Sequence, residues 1–151
     1  VMTVSGGACA RTGNFWVPNG TPLHAVADYC GGREDCARIV SGGPMMGEAV
    51  FSPKVCTSKT MSSLLFLEEG ECRPRTASAC IGCGRCVQAC PMGLMPVFID
   101  AAVLAKDYAA AKRFGAAQCI ACGCCSYVCP AERYLTQSVR LGRKIVKERK
   151  L

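Results

Sequence analysis

Two runs of cysteine carry the chemistry that can be read from this chain. The first places Cys80, Cys83, Cys86 and Cys90 ahead of Pro91, and the second places Cys119, Cys122, Cys125 and Cys129 ahead of Pro130. Both read C-x2-C-x2-C-x3-C-P, a spacing that suits a [4Fe–4S] cubane. Three cysteines two residues apart can wrap one cubane and supply thiolates to three of its irons. The fourth is expected to open a helix leading away, with proline at the first helical position, where no N–H is needed. It then ligates the other cluster. The expected ligand sets are therefore crossed. Cys80, Cys83, Cys86 and Cys129 hold one cluster, and Cys119, Cys122, Cys125 and Cys90 hold the other. Gly84 and Gly123, after the second cysteine of each run, are expected where backbone must pass close to a bulky inorganic core.

Two other cysteine chemistries fit less well. Zinc sites usually pair two cysteines, a spacer of a dozen or more residues and two further ligands. A disulfide framework suits small secreted chains and gives no reason for one spacing to recur to the residue. Six cysteines lie outside the ligand sets: Cys9, Cys30, Cys36, Cys56, Cys72 and Cys124. Their expected role is that of small buried hydrophobes or inert thiols.

Composition bounds the rest. The 151 residues, 50% hydrophobic and 19% charged, describe a folded chain of one domain or two small ones. Thiolate-held clusters beside six further thiols point to a reducing compartment, the cytoplasm. No run approaches the roughly 18 apolar residues of a membrane span, so membrane association is expected to be peripheral, through partners. The formal charge is +7. Two oxidised clusters with their thiolates would bring it to about +3, which argues against nucleic-acid binding. Val1 lies already inside a strand-like stretch, as expected of a segment of a longer polypeptide.

Positioning elements are expected on both sides of residue 70. Residues 1–5 and Phe15-Trp16-Val17 read as strands, the second ended by the turn Pro18-Asn19-Gly20. Thr21 is expected to cap a helix with Pro22 at its first position and Leu23, Val26, Ala27 and Cys30 on its apolar face. His24 beside that face reads as a surface or packing residue. Residues 37–40 and 62–67 are further strands, around the loop Ser41-Gly42-Gly43-Pro44-Met45-Met46-Gly47. Its two methionines are expected to plug a domain seam, or else the loop meets a cofactor-bearing neighbour. This pattern suggests a small β-grasp-like domain over residues 1–70. The acidic turn Glu68-Glu69-Gly70-Glu71 leads to a linker, Cys72 to Ser78, and a mainly helical cluster domain over residues 71–151.

The 28 residues from Pro91 to Gln118 exceed what a minimal two-cluster fold needs. After Pro96, Val97, Ala101, Leu104, Tyr108 and Ala111 fall on one helical face, read as packing architecture within a helical hairpin. Lys112 and Arg113 suit its last turn and Gly115 its end. The tail from Ser138 gathers Arg140, Arg143, Lys144, Lys147, Arg149 and Lys150 against Glu148. It reads as a solvated helix end, or as a surface for an acidic partner or anionic lipid.

Taken together, these features resemble the C subunit of the Rnf electron-transport complex. The resemblance rests on Gly6-Gly7-Ala8, on residues 13–18 (Gly-Asn-Phe-Trp-Val-Pro) with Gly20-Thr21-Pro22, on the Gly-Gly-Pro-Met-Met-Gly loop and on both cysteine runs. It implies an α+β chain, a β-grasp domain of the SLBB type followed by a two-[4Fe–4S] ferredoxin domain. It also implies a protein on the cytoplasmic face of the membrane, associated peripherally through other subunits. Electrons would pass between NAD(H), a flavin and the membrane-bound remainder, coupled to Na⁺ or H⁺ movement. The chain lacks the glycine-rich strand-to-helix loop of a dinucleotide site. FMN and NAD(H) are thus expected only through an upstream flavin and nicotinamide domain, and this stretch alone is not expected to be catalytic. A stand-alone ferredoxin-like carrier and the electron-transfer part of a microcompartment cobalamin reductase are the alternatives.

Overall fold

The computed structural model describes residues 1–72 and 76–149, so the linker residues Arg73, Pro74 and Arg75 and the terminal Lys150 and Leu151 lie outside the described residues. The chain divides into two compact units, Val1–Pro74 and Arg75–Leu151.

The first unit is a mixed five-stranded sheet with one α-helix and a 3-10 turn at Glu69–Glu71, among the described residues. Its strands are β1 (Met2–Ser5), β2 (Gly13–Phe15), β3 (Arg38–Ser41), β4 (Glu48–Val50) and β5 (Ser63–Leu67), and its helix is α1 (Leu23–Tyr29). The order across the sheet is β2-β1-β5-β3-β4. β1 and β5 are parallel, with Thr3 opposite Ser63 and Ser5 opposite Leu65, and the other pairs are antiparallel. Parallel neighbours need a crossover, and everything from β2 to β4 supplies it. Alternation sends Met2 and Val4 of β1 and Leu64 and Phe66 of β5 to one face, where Leu23, Val26 and Cys30 cover them. Each large buried side chain there contributes about 1.5–3 kcal/mol.

Three local expectations change. β2 stops at Phe15, leaving Trp16 89% exposed. Pro18 has no N–H for a ladder, and its carbonyl accepts instead from the hydroxyls of Thr21 and Thr57, each at 2.8 Å. Pro22, not Thr21, occupies the cap of α1. The helix is anchored there by backbone, since the Leu23 and His24 amides donate to the carbonyls of Val55 and Pro53 at 2.9 and 3.0 Å. β4 is not anticipated from the sequence, because three residues are too few to show alternation.

The glycines of this unit answer to close approaches. Gly6 has φ +116°, and a Cβ there would lie 2.0 Å from the Phe66 carbonyl oxygen. Gly47 closes the methionine loop by donating to the Gly43 carbonyl at 2.8 Å. Met45 and Met46 in this loop are 44% and 54% exposed.

The second unit is helical. It comprises α2 (Arg85–Gln88), α3 (Pro96–Leu104), α4 (Tyr108–Arg113), α5 (Cys124–Tyr127) and α6 (Leu135–Glu148), with a 3-10 turn at Ala116–Gln118. Its core joins Ile99, Ala102 and Val103 of α3 to Ala110, Ala111, Ala116 and Val139. The expected single face of Val97, Ala101 and Leu104 is not the buried one, and Leu104 is 64% exposed. α3 is apolar nearly all round, so periodicity could not pick its inward side. Nor does the helix continue to Ala111. Lys106 takes φ +59°, and Asp107 restarts it as the cap of α4, accepting from the Ala110 amide at 2.8 Å. Gly115, with φ +83°, follows the last turn of α4 as expected.

α6 buries Leu135, Val139, Gly142 and Val146 and leaves Lys144 and Lys147 exposed. A Cβ on Gly142 would lie 2.7 Å from Cγ2 of the buried Val103. Gly142→Leu should therefore overpack the α3–α6 contact and cost about 2 kcal/mol or more. Thermal unfolding should show the melting temperature of this unit falling by roughly 8 °C or more.

Candidate metal centres

Each cysteine run folds as a loop that ends in a single helical turn. Gly84 and Gly123 are the caps of α2 and α5, with φ +72° and +85°. Both take the left-handed backbone conformation that favours glycine. The Gly82 position of the first loop is filled by Ala121 in the second, and both take positive φ, +68° and +58°.

The fourth cysteine of each run does not open a helix, contrary to expectation. Cys90 follows α2 and begins a turn in which the Gly93 amide donates to the Cys90 carbonyl at 3.1 Å. Cys129 does the same, with Glu132 donating at 3.1 Å. Pro91 and Pro130 thus sit second in a four-residue turn, where their fixed φ is favoured. The long helices start later, at Pro96 and Leu135.

These turns carry each fourth cysteine across to the other run. Cys80, Cys83, Cys86 and Cys129 line one cavity of about 310 Å³, together with Val97 and Phe98 of α3. Cys119, Cys122, Cys125 and Cys90 line a second, narrower one, together with Ile99 of α3 and Thr136. α3 therefore contributes wall to both, so it is more than the packing element expected. Cys124 lines neither cavity. Its thiol is pushed up by a hydrogen bond with Cys122 and by burial. Of the other cysteines, Cys9 and Cys30 are buried as expected, but Cys56 is exposed and Cys36 and Cys72 are partly so. Burial, and then the neighbouring Cys9, hold the Cys30 thiol above its ordinary range.

Backbone amides reach several sulfurs. The Leu94 amide donates to Cys90 Sγ at 3.4 Å, and the Ala121 amide to Cys119 Sγ at 3.3 Å. Burial raises the Cys86 thiol, opposed by the Val97 amide. Burial also raises Cys125, opposed by the Thr136 hydroxyl, 3.5 Å from Cys125 Sγ. Such donors favour thiolate over thiol, the form that binds iron. Four cysteines with amides aimed at their sulfurs and a largely apolar surround suit a [4Fe–4S] group at each site by the chemistry of the donor set. Among the described residues no three His, Cys, Asp or Glu side chains gather tightly enough for a single ion.

The crossing is held by contacts that the cysteine spacing does not reveal. The Ser78 amide donates to the Ala131 carbonyl at 3.0 Å, fastening the chain before Cys80 to the chain after Cys129. Beside it, Arg133 donates through Nη2 and Nε to one carboxylate oxygen of Asp100, at 2.6 and 3.2 Å. Asp100 belongs to α3 and is 3% exposed.

Residues 74–130 match the family of the 4Fe-4S dicluster domain, a stretch that includes all eight cavity cysteines. The chain is 41% identical over 115 residues to the C subunit of an ion-translocating oxidoreductase complex from Rhodobacter capsulatus. That match takes in 76% of this chain and 22% of the relative. Identity is also 41%, over 66% of this chain and 22% of the relative, with the C subunit of a proton-translocating ferredoxin:NAD(+) oxidoreductase complex of Clostridium ljungdahlii. It is 35%, over 65% of this chain and 22% of the relative, with the Na(+)-translocating counterpart of Acetobacterium woodii. The chain thus spans about a fifth of the length of these curated relatives.

Proposed function

The chain belongs to the family of the C subunits of ion-translocating oxidoreductase complexes, and from that premise we propose that it conducts single electrons through two [4Fe–4S] clusters within such a complex. The observation that carries this reading is the crossed pair of cavities, each walled by three cysteines of one run and the fourth of the other. Cys80, Cys83, Cys86 and Cys129 are the ligands of one cluster, and Cys119, Cys122, Cys125 and Cys90 those of the second. When bound, a cluster takes up and releases one electron without any proton or covalent step in the protein. The chain's own part is to hold the thiolates, keep water off them with Val97, Ile99 and their neighbours, and tune them through amide hydrogen bonds.

The first unit reads as a β-grasp domain of the SLBB type. The order β2-β1-β5-β3-β4 around a central parallel pair, with α1 across one face, supports that assignment. Flavin and nicotinamide chemistry is assigned to a separate upstream domain, and the partners are the other subunits of the complex. Among the described residues no helix is long and apolar enough to cross a membrane. In this reading the chain works at the cytoplasmic face, held there by its partners.

Anaerobic reconstitution tests the reading. The chain should retain about eight iron and eight inorganic sulfides, and reduction should give the EPR signal of two interacting S = 1/2 centres. Stoichiometric zinc without acid-labile sulfide would refute it.

A further inference from the structure

The two cavities differ in one respect that bears on the direction an electron takes. Arg133 lines the first, beside Cys80 and Cys129, and among the described residues no charged side chain lines the second. The guanidinium is held from behind by Asp100 through two hydrogen bonds, and Nη1 reaches the Ser78 carbonyl at 3.5 Å. The carboxylate is the deeper partner, its side chain 4% exposed against 22% for that of Arg133, and it is not part of the cavity wall. The ion pair is thus a fixed dipole with its positive end toward one set of sulfurs.

Resting on the cluster reading above, we propose that Arg133, positioned by Asp100, makes the first ring the stronger electron acceptor of the two. Reduction adds one negative charge to a cluster, and a neighbouring cation in a poorly solvated wall favours the more negative state. The first cluster then has the higher potential, and an electron shared between the two resides mainly on the Cys80–Cys83–Cys86–Cys129 side. Arg133 acts through its field, as a positioning charge beside the cavity.

The test is a mediated redox titration of the reconstituted chain, reduced with dithionite and followed by EPR. Iron and sulfide are assayed in every sample. Arg133→Gln should move one midpoint, that of the component lost in Cys129→Ala, toward harder reduction. The expected change is about tenfold in its reduction equilibrium, or about 59 mV for one electron. Arg133→Lys, which keeps the charge, should restore that midpoint to within about twofold. Should Arg133→Gln fail to load, Asp100→Asn poses the same question with the opposite sign. It leaves the guanidinium uncancelled and should make the same component easier to reduce. Fully loaded protein in which Arg133→Gln leaves both midpoints in place would overturn the proposal, as would an Arg133→Lys shift as large as that of Arg133→Gln. The same holds for an Asp100→Asn midpoint that stays put or falls. Wild-type protein without iron and sulfide would instead refute the cluster reading itself.

Discussion

Replacing Cys90 by alanine is expected to strip iron from the cavity built on Cys119, Cys122 and Cys125, not from the run in which Cys90 itself lies. Cys129→Ala should do the reverse and empty the cavity of Cys80, Cys83 and Cys86. Each variant should fall from about eight to about four iron per chain, losing the EPR interaction between centres while one S = 1/2 signal survives. The expectation follows from the turns at Pro91 and Pro130, which send each fourth cysteine to the opposite cavity. Cys124→Ala serves as the control. Its thiol lies outside both linings, so iron content should stay at the wild-type level, whereas Cys125→Ala should halve it. Loss of the cluster of its own run in Cys90→Ala would show that the ligation is not crossed.

The second large effect lies in the sheet. Gly6→Ala is expected to unfold the first unit's parallel pairing at its end. Alanine at φ +116° is strained, at a cost of order 1–3 kcal/mol. Its methyl would also stand 2.0 Å from a backbone oxygen of β5, which cannot rotate away as a side chain can. That oxygen already accepts from the Ala8 amide at 3.0 Å, so moving it breaks a second bond. A loss of about 3 kcal/mol or more is expected, or roughly 12 °C or more in the melting temperature of this unit. Circular dichroism against temperature measures it, with iron content as the internal reference. An unchanged transition would mean that β1 and β5 do not approach as described.

Sequence legibility divides along the range of the interactions. Cluster-type cysteine spacing is a local pattern, set by how few residues can wrap a cubane, so both runs stand out without a fold. β1 is legible for a similar reason, since Met2-Thr3-Val4-Ser5 alternates, whereas Leu64 to Leu67 of β5 are apolar in succession and mark no inward side. Asp100 is not legible. An acid in the middle of an apolar helix acquires its meaning from Arg133, 33 residues later, and no periodicity spans that separation. The clasp of Ser78 on Ala131 is equally silent, because it is made mainly of backbone. The prolines after each run look like helix starters because position alone cannot separate a first helical residue from the second residue of a turn. β4 is too short to register, and the buried side of α3 too uniform.

The clasp between Ser78 and Ala131 joins positions 53 residues apart, and this sets a schedule for maturation. At synthesis rates of roughly 5–20 residues per second, the interval between translation of Cys90 and translation of Cys129 is about 2–8 s. Throughout it, the earlier loop offers three thiols and lacks the fourth. A cubane delivered then would keep one corner open to water and oxygen. The later loop cannot close ahead of the earlier one either, since its own missing ligand must be returned by a folded turn at Pro91. Neither cavity therefore has its four cysteines until both runs have been made. With crossed ligation, as proposed, both cubanes are expected to enter after the ribosome has passed both runs.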